Sequence, residues 1–387
     1  MGVFGIAAAS GRTLKALFSA LCLIVLTSNF WTMRNWTERT GVYDDICYLR
    51  QAHLFQRFGL AGLDTNISRD DDGYFSSLAR EVGYAGWADP ARAPCHTPIG
   101  AKRVLQYPPG TGFALSIFPA GFQRVPLYAL ANIVTLLAAL TAIWAAKSRR
   151  AVYLSGLVGI TALYFMINPA KASFSIAPTM IVCAIVGYLT SALAYAPNRS
   201  HRIIAAATAG LLLGLAVSFR LPNLFLSAGY FVVLLTLAFR SGASEAIRLV
   251  AFGVAYALGL APTLIANAIN AGSVFATTYG GADAVQPDFS FSIAGDYIRD
   301  MQGSLIILTA VWTAFAVLSS ARKVVASIVA VNLIANLAFF LSHPIFTPYY
   351  LMPLAMLSIW TLLATTVTQS ELSPALSSSP VALPTVS

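Results

Sequence analysis

The chain reads as an all-α polytopic membrane protein of about ten transmembrane helices, with a large first extracytoplasmic loop carrying juxtamembrane helices. Two observations predict this class. Hydrophobic residues make up 57% of the chain and charged residues 10%, with a mean hydropathy of +0.72, whereas an ordinary soluble domain is about one-quarter charged. The apolar residues also fall in long runs without the period-2 alternation of a membrane barrel. In lipid such a backbone can satisfy its hydrogen bonds only as helices.

A crossing helix needs ~20 apolar residues to span ~30 Å of hydrocarbon. That criterion predicts spans at roughly 14–32, 126–146, 151–168, 174–195, 203–219, 223–239, 247–268, 304–319, 324–341 and 349–368. The first is long for a signal peptide and has no small-x-small cleavage site before Trp31, so it is expected to stay. Arg12 and Lys15 flank its start, and Lys147, Arg149 and Arg150 follow the second span. Arg199 with Arg202, Arg240 with Arg248, and Arg322 with Lys323 occupy later alternate turns. The positive-inside rule makes that side, and with it both termini, cytoplasmic. The net charge of +9 is mostly this bias and not a nucleic-acid footprint.

Both long loops then face outward. The first, 32–124, is too long for a connector. Val42 to Phe58 has helical composition, with Ile46, Leu49, Leu54 and Phe58 on one broad face, and reads as a helix lying at the interface. Turn residues Asn66 to Gly73 follow, then a short helix over Tyr74 to Val82 and a section punctuated by Trp87, Pro90 and Pro94. Tyr107-Pro108-Pro109-Gly110 introduces an apolar run to Phe122. As a full span that run would invert every later loop, so it is expected to be a re-entrant or juxtamembrane helix. The second outer loop covers 270–302, and the Ser/Pro/Thr-rich tail 369–387 reads as disordered and cytoplasmic.

Of the four cysteines, Cys22 and Cys183 fall in spans, as small buried hydrophobes. Cys47 and Cys95 share the first outer loop, in a compartment that permits disulfides. Sequence does not supply their Cα separation, so a bridge and two free thiols both stay open.

The acids are the most telling residues. None of the fifteen Asp and Glu lies inside a span, and Glu38, Asp44, Asp45, Asp64, Asp70, Asp71, Asp72, Glu81 and Asp89 fall in the first outer loop. Asp283, Asp288, Asp296 and Asp300 lie in the second. This placement favours chemistry at the membrane surface over an ion relay, which needs intramembrane carboxylates. Asp44 and Asp45 stand just beyond the first span. Neighbours on a helix point ~100° apart, so one carboxylate can enter a site while the other turns to water, a basic group or a metal. A solvated acidic helix start, favoured by the helix dipole, is the plainer alternative.

Tyr43-Asp44-Asp45-Ile46-Cys47-Tyr48 resembles the Asp-Asp/Glu-x-x-Tyr motif after the first span of integral-membrane glycosyltransferases with the GT-C fold. Tyr107-Pro108-Pro109-Gly110 resembles their aromatic/His-Pro-Pro element, and Asn270 to Gly280 their N…GS…YG stretch. In order and spacing the likeness runs over 14–368, nearest to the bacterial protein-mannosyltransferase-like and aminoarabinose-transferase-like enzymes. It implies a polyprenyl-phosphate-linked sugar donor and an inverting transfer outside the plasma (inner) membrane, with membrane lipids around the site. The acceptor could be a glycan, a lipid or a protein.

The resemblance implies Asp44 as the base, because an acceptor hydroxyl must lose its proton as the lipid phosphate leaves the anomeric carbon. Asp45 would support it through the acceptor, a cation or a basic neighbour, and a divalent metal stays open. Tyr48 would hydrogen-bond within the site or sit as an interfacial aromatic. Arg220 would hold the phosphate, with snorkelling to head groups as its alternative. Lys171 is a weaker candidate of the same kind. Tyr107 and Tyr279 are expected as walls. Relatives often carry an Arg-Tyr pair at the last span; here Pro348 precedes Tyr349-Tyr350, and His343 is the available donor.

Other motifs give less. Ser68-x-Asp70-x-Asp72-Gly73 is similar to a calcium loop but has Ala79 where the closing glutamate belongs. No His/Cys spacing indicates zinc. Asn35-Trp36-Thr37 and Asn66-Ile67-Ser68 are glycosylation sequons. A transporter or lipid-carrier flippase shares the hydropathy but should show intramembrane carboxylates and internal repeats, neither of which is evident. A non-catalytic membrane scaffold is the remaining alternative.

Overall fold

The computed structural model describes residues 11–38, 44–83, 95–166, 173–279, 286–319, 322–343, 346–347 and 349–369. Among them the chain is an all-α polytopic membrane protein. Its long helices are α1 (Gly11–Met33), α5 (Arg124–Ala145), α6 (Arg149–Phe165), α7 (Ile176–Tyr195), α8 (Arg199–Phe219), α9 (Ala228–Ser241), α10 (Ala243–Ala271), α12 (Met301–Leu318), α13 (Lys323–Leu341) and α14 (Met352–Gln369). Between α1 and α5 stand α2 (Asp45–Phe58), α3 (Tyr74–Glu81), strands β1 (His96–Ile99) and β2 (Lys102–Leu105), and α4 (Gly110–Ser116). Helix α11 (Phe291–Arg299) precedes α12.

Eight helices, with α9 counted from its 3-10 lead-in at Leu221, are long and apolar enough to cross a membrane. The other two expected spans coincide with shorter helices, the 17-residue α6 and the apolar Met352–Thr368. Three of the long helices start where the sequence supplies a side-chain acceptor for a first-turn amide. Ser148 caps α6, Asn198 caps α8 and Asp300 caps α12 through side-chain oxygens. Gly272, at φ 79°, ends α10 in the left-handed conformation glycine favours.

Helix α7 is buried on most of its circumference and α14 on nearly all of it. The other helices pack around this pair and present Ile24, Leu157, Phe239, Leu258 and Phe315 outward, as lipid-facing positions should be. Helices α8 and α10 lie backbone to backbone: a Cβ on Gly214 would stand 2.2 Å from the Tyr256 carbonyl oxygen, and one on Gly259 2.2 Å from that of Leu211.

Cross-links define two ends. At one, Lys15 donates to the Trp144 carbonyl (2.7 Å) and Arg248 to that of Leu193 (2.8 Å), which gathers the basic turns together. At the other, the Leu351 amide donates to Gln302 (2.9 Å) and Asn270 donates to the Leu63 carbonyl (2.8 Å). The 29-residue α10 is roughly 43 Å long at ~1.5 Å per residue, more than the hydrocarbon core requires. Its last turn therefore reaches the loop between α1 and α5, where Asn270 Oδ1 accepts from the amide (2.9 Å) and hydroxyl (3.0 Å) of Thr65.

Three local expectations need correction. Helix α2 does not present one apolar face; Asp45 to Ala52 are all buried within the protein. Its polar side chains tolerate this because backbone acceptors meet them, as when Arg50 donates to the carbonyls of Thr65 and Asn66, each at 3.0 Å. The loop also contains an antiparallel hairpin, His96 opposite Leu105, that the Pro/Gly-rich reading missed. The 270–302 loop, in which the sequence reading placed no element, contains the amphipathic α11. The run after Pro109 is short, as expected: α4 has seven residues. Lys171, Tyr43, Trp87 to Pro94, Gly280, Asp283, Pro344, Pro348 and residues 370–387 lie outside the described residues.

Candidate functional site

Asp44 precedes the first residue of α2, and its carboxylate faces inward. Oδ1 accepts from the Tyr107 hydroxyl at 2.7 Å, and Oδ2 lies 3.4 Å from the Tyr349 hydroxyl, a long contact for a phenol and a carboxylate. Asp45 turns away. It is 3% exposed and accepts from the Phe174 amide (2.9 Å) and the Ser173 hydroxyl (3.3 Å), just before α7. The two carboxylates thus diverge as neighbouring helical positions should, and Asp45 accepts from backbone and a hydroxyl just before α7, with Arg124 near enough to interact with it electrostatically.

Tyr107 is delivered by the turn and helix that follow it. A Cβ on Gly110 would stand 2.2 Å from Ser218 Oγ and 2.8 Å from the Ser218 backbone, so only glycine permits this approach. Next to it, Thr111 donates to the Phe219 carbonyl (2.9 Å). Helix α4 is thereby docked on the last turn of α8, whose next residue is Arg220. The Cys47–Cys95 disulfide joins α2, one turn past Asp44, to the residue before β1. Tyr107 is thus held from both sides.

Arg220 is 8% exposed, with its guanidinium 4.7 Å from the Tyr349 ring centroid and 4.1 Å from that of Tyr350. Such stacking is favourable for a planar cation. Among the described residues its guanidinium makes no hydrogen bond and no ion pair.

Asp44 and Arg220 line one cavity of about 620 Å³, walled by Tyr48, Tyr107, Tyr279, Phe225 and Phe339 and reached by His343 and Cys95. The Tyr48 and Tyr107 rings lie 5.0 Å apart, and those of Tyr107 and Tyr279 6.0 Å apart. His343 stacks on Phe339 at 5.8 Å. Burial, and after it the Asp44 carboxylate, pushes the Tyr107 phenol well above its usual range, so it donates to Asp44 throughout the neutral region. Burial and then Arg220 hold His343 below its usual range, which favours the neutral ring. A second cavity of about 200 Å³ shares Gln106, Leu221, Leu224 and Tyr279 with the first. It continues along Leu260, Leu264, Val274 and Phe275.

Of the residues singled out in the sequence, Asp44, Tyr48, Tyr107, Arg220, Tyr279 and His343 meet in one cavity, while Asp45 does not. Tyr349 and Tyr350 had no assigned role, yet they form the platform for Arg220. The signals were their position at the start of the last span and the Arg-Tyr pair that the resembled enzymes often carry there. The acids of the calcium-like loop are engaged elsewhere: Asp71 pairs with Arg57, Asp72 with His53, and Asp70 accepts from the Phe75 amide. Among the described residues the one His/Cys/acid group close enough to hold a metal is Cys47, Cys95 and His96, and its cysteines are joined. No family model matches the chain, and no curated protein matches it.

Proposed function

We propose that the chain is a GT-C-type glycosyltransferase of the plasma (inner) membrane, working on its extracytoplasmic face with both termini in the cytoplasm. It takes a sugar from a polyprenyl-phosphate donor and gives it to an acceptor hydroxyl. One observation carries this reading: a carboxylate and a nearly buried arginine without an ion-pair partner among the described residues open into the same cavity. The arginine suits an anion, the carboxylate suits a proton. The adjoining apolar recess suits a substrate whose phosphate carries a hydrocarbon chain.

In this reaction the acceptor oxygen attacks the anomeric carbon as the bond from that carbon to the phosphate oxygen breaks. The electron pair leaves with the phosphate, against Arg220, and the acceptor proton passes to Asp44 and then to solvent. Attack opposite the leaving group inverts the anomeric centre. Tyr107 holds Asp44 in place, and Asp45 fixes the connection to α7 without touching substrate.

Purified protein in lipid vesicles, offered a panel of polyprenyl-phosphate sugars with cell-envelope acceptors, should release polyprenyl phosphate and form a glycosylated acceptor. Movement of the intact lipid across the bilayer with no cleavage would favour the flippase reading. Neither cleavage nor movement would favour the scaffold.

A further inference from the structure

The base and the anion site are connected through one side chain. Tyr349 points its hydroxyl at Asp44 Oδ2 (3.4 Å) and lays its ring against the Arg220 guanidinium (4.7 Å). Its neighbour Tyr350 meets only the second of these, stacking closer on Arg220 (4.1 Å) and edge-on to Tyr349 at 5.6 Å. Tyr107 meets only the first. Both tyrosines of the pair lie just before α14, and Gln302 of α12 anchors that turn by accepting from the Leu351 amide. Tyr349 itself is 5% exposed. It is therefore a packed strut and not a mobile surface ring.

We propose that Tyr349 is a positioning residue that fixes the spacing between base and anion site, its hydroxyl setting Asp44 and its ring setting Arg220. This rests on the glycosyltransfer reading, in which the proton and the leaving phosphate depart from opposite sides of one carbon. A side chain touching both groups keeps the carboxylate and the guanidinium in register across that carbon. Geometry of this kind matters because an error near 1 Å between reacting groups costs about a hundredfold in rate. The two contacts use different parts of the residue, so substitution separates them. Tyr349→Phe removes the hydroxyl and keeps the ring. Tyr349→Leu removes both. Tyr350→Leu removes a ring from Arg220 and leaves the Tyr349 hydroxyl in place.

The probe for the anion site is polyprenyl phosphate in detergent, titrated against the intact protein. Tyr349→Leu and Tyr350→Leu should each weaken its binding roughly three- to tenfold, the range expected for a lost cation–aromatic contact. Tyr349→Phe should restore wild-type affinity, a rescue that general loosening of the fold would not give. The probe for the base is the carboxylate stretch in infrared difference spectra of aspartate-labelled protein. Tyr349→Phe should shift a band that vanishes with Asp44→Asn, and Tyr350→Phe should leave it in place. If Tyr349→Phe weakens the phosphate as much as Tyr349→Leu does, or leaves the carboxylate band unmoved, the positioning role is wrong. If the wild-type protein does not bind polyprenyl phosphate, or Arg220→Ala binds it equally well, the anion site and with it the reading beneath this proposal fall. The infrared arm then still decides whether Tyr349 sets Asp44.

Discussion

The Tyr107 hydroxyl donates to Asp44 Oδ1 at 2.7 Å, across 63 residues of chain. A carboxylate that accepts a well-made bond keeps its direction, and a base must be aimed before it can work. The first consequence concerns the pair of aspartates. Asp44→Asn should lower transfer by roughly 10²- to 10⁴-fold, the usual span for a lost general base. Apparent melting temperature and polyprenyl-phosphate binding should stay near wild type, because the amide oxygen can still accept from Tyr107. Asp45→Asn should do the opposite, since its oxygens hold the turn before α7: thermal stability falls and the turnover of the surviving fold is kept. Full activity in folded Asp44→Asn protein would remove Asp44 from the chemistry.

Arg220→Ala should weaken polyprenyl-phosphate binding by about 1.5–3 kcal/mol, or roughly ten- to hundredfold. Lysine should recover part of this, as a point charge that cannot stack on Tyr349 and Tyr350 as a guanidinium does. Titration of the bare lipid phosphate, without sugar, isolates this contact from the rest of the donor. An arginine that served only to reach lipid head groups would lower insertion yield and leave that affinity alone.

Non-reducing peptide mapping should recover Cys47 joined to Cys95 from protein made in an oxidising compartment. The bridge closes a 48-residue loop, for which chain-entropy arguments give about 4 kcal/mol of stabilisation as an upper figure. Cys95→Ser should therefore raise hydrogen exchange in the hairpin and in Gln106 and Tyr107 while the long helices stay protected. Alkylation of both thiols without reductant would show that they are not bonded.

Acid should unsettle the site through His343. Its folded-state value lies below that of the unfolded chain, because burial and Arg220 both oppose the proton. The stabilisation is therefore present above the unfolded value of about 6.5 and is lost as pH falls through the folded one. Apparent melting temperatures between pH 8 and 5 should drop less for His343→Gln than for wild type. Identical slopes would mean that the ring titrates freely.

Much of this was legible in the residues, for identifiable reasons. Hydrophobic runs in lipid admit one backbone solution, so the helices followed directly from composition. Asp44 and Arg220 stood out because charged groups at the edges of apolar runs are few, whereas Tyr107 stood out only through the likeness of its Pro-Pro motif to the resembled enzymes. The particular partners of Asp45 were not legible, because nothing local reveals that Ser173 and the Phe174 amide, 128 and 129 residues away, will donate to it. Burial of α2 was hidden for the same reason: Arg50 finds its acceptors at Thr65 and Asn66, and local pattern counts such an arginine as exposed. The hairpin rests on only four residues per strand, too few for alternation to stand out beside Gly100.

Asp44 leaves the ribosome early, and one of the residues that touches it, Tyr349, lies 305 positions later. At ~5–20 residues per second the interval is on the order of 15–60 s of synthesis. Arg220 likewise waits for Tyr349 and Tyr350. A nascent chain therefore carries Asp44 with its Tyr107 contact alone, and Arg220 without its aromatic platform, until the residues just before the final helix are made. On the proposed reading, any product that stops short of that helix lacks part of its site. The last stretch to be synthesised is thus the one that completes the cavity.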